Sequence, residues 1–204
     1  MARVTVDPAV LERQAQQILG SGREFNTQIT NAYNAVGNDL RSSWYGLRYD
    51  NLVQSFNQMI QGFNSMLDLI RTTIPNNIQI AANNYYKFNG QPVKSMPGEA
   101  KTAITITTTP TVSQGTRFIT TEVTGIQTRV QQNFSQAVQI LGTIQQHFNT
   151  MLGSWTGEAA DSNRSEFNTL KSRLEGDINK VNTDFRALMD QTIQDIAAAE
   201  AANM

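Results

Sequence analysis

The stretch 41-RSSWYGLRYD-50 lies between two long amphipathic runs, and 111 positions later 153-GSWTGEAADS-162 lies between two more. Both carry a Trp-x-Gly triplet, Trp44 with Gly46 and Trp155 with Gly157. Before the first triplet, small or apolar residues recur at Leu11, Ala15, Ile18, Gly22, Phe25, Ile29, Ala32 and Val36. Steps alternating between four and three make a helical seam, not a strand pattern. The start is marked by Asp7 as N-cap, Pro8 in the first helical position, and a Val6/Leu11 staple. This helix is expected to end near Arg41. After Gly46 a second seam runs through Val53, Phe56, Ile60, Phe63, Leu67, Ile70 and Ile74. Pro75 then predicts a break or kink. Ile78, Ala81 and Tyr85 continue the pattern towards a stop at Gly90.

The second half repeats this plan. Ile119, Val123, Ile126, Val130, Ala137, Ile140, Ile144 and Met151 form a third seam, widened by Phe134, Leu141 and Phe148. The fourth carries Phe167, Leu170, Leu174, Ile178, Val181, Phe185, Leu188 and Ile196, with Glu158 and Asp161 where a helix dipole favours carboxylates. At the 111-residue offset Phe56-Asn57 matches Phe167-Asn168, and Leu67, Ile70 and Ile74 fall on Ile178, Val181 and Phe185. The chain is a duplicated helix-turn-helix unit. At each turn a Trp is large enough to plug the open end of an apolar seam. A Gly two positions on tolerates backbone angles that a side chain forbids. Both residues would serve equally as plain turn residues of a helical bundle, so the weight rests on two copies in the same context.

Between the halves, 89–116 differs in kind: three prolines, three glycines and a Thr-rich tract without helical period. It is expected to be a flexible linker. Residues 103–109 alternate enough for a short strand, but a lone strand has nothing to pair with.

Composition excludes several functions. A net charge of -1 argues against a nucleic-acid surface. No run of like charges or basic face supports membrane binding. Without cysteine there is no disulfide scaffold or thiolate metal site. The N-terminus has no apolar core of a signal peptide, and no window approaches a membrane span. His147, the single histidine, cannot anchor a common zinc site and is expected at the edge of the core or the surface. No carboxylate pair converges and no phosphate-binding loop follows a strand. No enzyme activity, cofactor or metal is expected.

With both triplets in view, each half resembles the WXG family, the early-secreted-antigen-like helical hairpins exported by bacterial type VII (ESX) secretion. The resemblance covers about 1–90 and 117–204. It implies an all-α fold: two helix-turn-helix hairpins, 1–88 and 117–204, packed antiparallel as an elongated four-helix bundle and joined by 89–116. A forty-residue helix spans about 60 Å, and a linker of this length extends to roughly 90 Å. Pairing within one chain, or between chains as a swapped homodimer, is therefore within reach. The family also carries a Tyr-x-x-x-Asp/Glu export signal after the second helix. Here Tyr85 leads to Asn89, Tyr86 to Gly90, and Ile196 to Glu200, so neither half has an intact copy.

The resemblance implies a leaderless secreted substrate of type VII secretion, a tandem protein mimicking a WXG dimer. Its partners would be the secretion machinery with its motor ATPase and another helical secreted protein. The alternative is a cytoplasmic helical adaptor or chaperone that holds an exported toxin or partner, and should keep an exposed apolar stripe.

Overall fold

A computed structural model describes residues 7–106, 109–111, 115–151 and 154–202, with the side chains of Glu200 and Ala202 outside the description. The protein is all-α with almost no sheet. Four long helical stretches are present among the described residues. The first is α1 (Pro8–Asn34), a π-helical turn (Ala35–Leu40) and the short α2 (Arg41–Ser43). The second is α3 (Leu47–Asp68), another π-helical turn (Leu69–Thr73) and α4 (Ile74–Phe88). The third and fourth are α5 (Thr120–Thr150) and α6 (Glu158–Ala202). The two-residue strands β1 (Trp44–Tyr45) and β2 (Arg117–Phe118) pair antiparallel, Trp44 opposite Phe118.

Helix ends follow local chemistry. Asp7 Oδ1 accepts the Ala9 and Val10 backbone N–H groups at 3.0 and 3.2 Å, satisfying donors that a first turn leaves open. Val6, the expected staple partner of Leu11, lies outside the described residues. At the end of α4, Gly90 has φ +68°, Gln91 N–H reaches the Tyr86 carbonyl and Gly90 N–H the Lys87 carbonyl. That pair of bonds is the Schellman closure.

Pro75 neither breaks the helix nor ends it. Its missing N–H would have served the Arg71 carbonyl, and the Glu99 backbone N–H takes that carbonyl instead at 2.8 Å. The π-helical turn just before Pro75 absorbs one residue. Ile74 and Ile78 are buried as expected beyond it, but Ala82 is buried where Ala81 was expected, and Tyr85 is left 39% exposed. Upstream, Met59 is buried where Ile60 was expected; the other seam positions from Val53 to Ile78 are buried. Every seam residue from Leu11 to Val36 is buried. In the second half Ile119, Ile140, Leu170, Leu188 and Ile196 are only half-buried.

Two compact units are present. The first compact unit joins Met1–Thr27, Gly62–Ala103 and Gln136–Arg173. The second joins Gln28–Gln61, Ile104–Ser135 and Leu174–Met204. Each draws segments from both hairpins. In the first unit His147 Nδ1 meets Gln14 Oε1 at 2.8 Å and Asn77 donates to Asn163 at 3.2 Å. In the second, Phe56 stacks on Phe134 at 5.8 Å and Arg48 pairs with Asp195.

The described residues of 89–116 form a strap tied to the helices by hydrogen bonds and ion pairs. In the first unit the Asn83 side-chain amide clamps the Lys94 backbone, accepting its N–H at 2.9 Å and donating to its carbonyl at 2.7 Å. Lys94 Nζ reaches Glu12 at 2.6 Å, and Glu99 pairs with Arg23 and Arg71. Lys101 pairs with Asp68. No strand forms among the described residues of 103–109; Ile104 is buried instead.

Candidate functional site

Both Trp-x-Gly turns are built alike at the backbone. Gly46 and Gly157 have φ of +115° and +100°, left-handed values that favour glycine. The carbonyl of each accepts the first helical bond, from Asp50 N–H at 3.1 Å and Asp161 N–H at 3.0 Å. The two glycines are thus helix N-caps, and each cap is followed at the same spacing by an aspartate. That shared Trp-x-Gly-x-x-x-Asp pattern is readable in the sequence at Asp50 and Asp161, and the alignment of triplets alone passes over it.

The surroundings differ. In the second unit the Trp44 indole is 1% exposed and held by the other hairpin, edge-on to Phe118 at 5.3 Å and stacked on Phe185 at 6.1 Å. Ile119 N–H donates to the Ser43 carbonyl at 2.9 Å and Ser43 Oγ pairs with Glu122. The strap closes over the turn through Thr111, which is fully buried. Gly46 N–H donates to Thr111 Oγ1 at 2.8 Å, and that hydroxyl donates to Asp50 Oδ1 at 2.9 Å. Thr111 N–H donates to the same carboxylate at 2.8 Å. In the first unit the Trp155 indole is likewise buried, but against its own hairpin: it stacks on Phe148 at 6.2 Å, and Phe148 packs on Phe167. The Arg164 guanidinium lies over the indole at 5.7 Å and donates to the Trp155 carbonyl at 2.5 Å.

Each unit places the turn of one hairpin with the tail of the other: Trp44 and Gly46 with Ile196, Trp155 and Gly157 with Tyr85 and Tyr86. At the Trp44 turn this produces a cleft of about 300 Å³ lined by Trp44, Gly46, Leu47, Arg48, Asp195 and Ile196 among others. Leu47 stands 63% exposed at its rim. The Glu200 side chain lies outside the described residues.

The two tyrosines have separate tasks. Tyr86 is committed to the strap: Lys94 Nζ sits 5.2 Å from its ring centre. Burial pushes the neighbouring Glu12 carboxyl up, but bonds from Lys94, Gln79 and Tyr86 outweigh this and leave it below its usual range. Tyr85 packs edge-on to Tyr86 at 6.4 Å and keeps its exposed face. Asn89, in the acid position of the tail pattern, donates its side-chain N–H to the Tyr85 carbonyl at 2.9 Å. A carboxylate there would have no donor for a helix end and would face the negative pole of the dipole.

His147 is half-buried on α5, and burial holds its imidazole below the ordinary histidine range. Among the described residues no three His, Cys, Asp or Glu side chains converge to hold a metal, and no helix is long and apolar enough to cross a membrane. Compared with known protein families, curated proteins and solved structures, the chain matches none.

Proposed function

We propose that this chain is a non-enzymatic substrate of a type VII secretion system, a tandem WXG protein whose hairpins pair antiparallel within one chain as a four-helix bundle. The surface offered to the export machinery is the composite cleft where the Trp44 turn meets Thr192, Asp195 and Ile196 of α6. One observation carries this reading: the turn of the first hairpin and the tail of the second line one cleft, although 152 positions separate Trp44 from Ile196. A machine that must recognise a paired substrate gains by reading a surface that exists only when both hairpins are in place. The degenerate tail then acts through its apolar residue beside the turn.

The test is export in the organism that makes the protein, with and without the type VII motor ATPase. Motor-dependent appearance in the medium, lost in Ile196→Glu while helicity and melting temperature stay near wild type, is the expected result. Export without the motor would end the substrate reading. Retention in the cytosol, with a control substrate exported, would favour the adaptor, for which the exposed side chains of Phe88, Val93 and Met96 supply an apolar surface.

A further inference from the structure

Seven large apolar side chains are exposed among the described residues, and they form two groups. Ile80, Tyr85, Phe88, Val93 and Met96 lie on α4 and the start of the strap. Leu47 lines the Trp44 cleft, and Ile193 lies on α6 one turn before Ile196, which also lines it. Charge divides the same way. From 69 to 98 the sequence holds Arg71, Lys87 and Lys94 and no carboxylate. From 187 to 204 it holds Asp190, Asp195 and Glu200 and no cation. Arg71 and Lys94 are held by Glu99 and Glu12, so the cations left unpaired beside the first patch among the described residues are Lys87 and Arg13, against Asp190 and Asp195 beside the second.

We propose that these patches are complementary halves of a self-association site, with a second copy of this chain as the occupant. The ring of Phe88, 89% exposed, is the knob, and the cleft of about 300 Å³ at the Trp44 turn of the next copy is the hole. That volume, at the small end of ligand pockets, suits a single aromatic side chain. Once seated, the ring lies against Leu47 and Ile196 and beside the Arg48 guanidinium, which adds a cation–π contact. Lys87 and Arg13, exposed and without an ion pair among the described residues, meet the acidic end of α6. The Asp195 side chain remains 66% exposed while paired with Arg48 and has acceptor sites to spare. Knob and hole are different surfaces, so the contact is heterologous and propagates from copy to copy unless it closes on itself. It is also small, well under the roughly 1,200–2,000 Å² of a stable interface, so assembly is weak and depends on concentration. Occupation covers the cleft at Trp44, so an assembled chain hides it and a free chain displays it. Nothing in this association requires the export reading.

Sedimentation velocity on the full chain tests it, with far-UV circular dichroism to verify folding. The wild type is expected to move from one chain in the low micromolar range to more than two chains at several hundred micromolar, about −5 to −7 kcal/mol per contact. Added salt should reverse this. Phe88→Ala removes the knob, and Leu47→Asp the hole; both positions are exposed, and an acid in the first turn of α3 suits its dipole. Each variant alone is expected to stay monomeric. An equimolar mixture should form a complex of two chains and stop there, since one free knob and one free hole remain to pair. A monomeric wild type at every concentration would overturn the proposal and leave the patches to a lipid surface or an unrelated protein. So would a Phe88→Ala variant that assembles like wild type. A wild type that stops at two chains, with a mixture of variants that does not associate, would show an isologous contact instead.

Discussion

A methyl group added at Gly46 would place its Cβ 3.1 Å from the Gly115 carbonyl oxygen, whereas at Gly157 it would meet nothing within 4 Å. Both positions are left-handed, so alanine at either carries a backbone cost on the order of 1–2 kcal/mol. Only at Gly46 does the strap add a steric cost. Gly46→Ala is expected to lower stability by about 2–4 kcal/mol and Gly157→Ala by about 1–2, read from urea midpoints. Equal losses would mean that the strap yields without resistance. Trp44→Ala and Trp155→Ala should each cost about 3–5 kcal/mol as buried rings are lost, with Trp44 the costlier because its neighbours come from the other hairpin. At this scale the sequence shows which residues matter more readily than why. Trp and Gly stand out by repetition. Thr111 does not, because it comes from a stretch with no period, and only the folded strap brings it to Asp50. Both indoles are buried. The different cages around them depend on Phe118 and Arg164, which a repeat alignment cannot pair with each other.

Among the elements, the strap is the one whose behaviour was least legible. Pro, Gly and Thr without periodicity read as a tether because sequence patterns report a chain's own seam, and the strap has none. Its attachment is borrowed: the Arg71 carbonyl that Pro75 leaves open accepts Glu99 N–H, and the Thr72 hydroxyl donates to the Glu99 carbonyl at 2.8 Å. Pro75 was visible as an interruption, and its consequence was not, since the relieving donor lies 24 positions downstream. Hydrogen bonds from Arg23 and Arg71 bring the Glu99 carboxyl down to about 2. A carboxyl lowered in the folded state binds fewer protons there than in the unfolded chain between that value and its ordinary one near 4.5. Its contribution is therefore complete above about pH 4.5 and is lost as the pH falls towards 2. Amide NMR shifts of Gly98 and Glu99 should hold steady from neutral pH to about pH 3 and then move together as the pH falls through the folded value near 2 and the strap loosens at that anchor. In Glu99→Gln the loosened shifts should be present at neutral pH. Shifts that stay fixed down to pH 2 in the wild type would assign the anchor to the backbone bonds alone. His147 adds an effect of the same sign higher on the scale: its folded pKa is depressed by burial, so stability falls as the pH drops below about 6.5. His147→Gln should flatten that step.

For the molecule as a whole, the duplication was plain in the sequence, while the way its parts share a core was not. Two seams of matching period announce two hairpins, but period says nothing about what covers a seam. In each compact unit residues of both hairpins meet, as Phe56 on Phe134 and Gln14 with His147 illustrate. A single hairpin contains neither complete unit. Chains of 1–88 and 117–204 prepared separately are thus expected to be poorly helical or to self-associate, and to gain helicity when mixed. Joined by the strap, the halves face each other at an effective concentration on the order of millimolar. The urea midpoint of the intact chain should therefore be independent of protein concentration, and that of the mixed halves should rise with it. Lost strap anchors should lower the mixed pair further, because Thr111, Lys94 and Glu99 bind the helices through bonds that the halves lack. A solitary hairpin that is monomeric, fully helical and cooperative in unfolding would refute this, since its seam would then be satisfied without a partner. Failure of the mixed halves to gain helicity would instead make the strap the organiser of pairing, its anchors forming before the two seams meet.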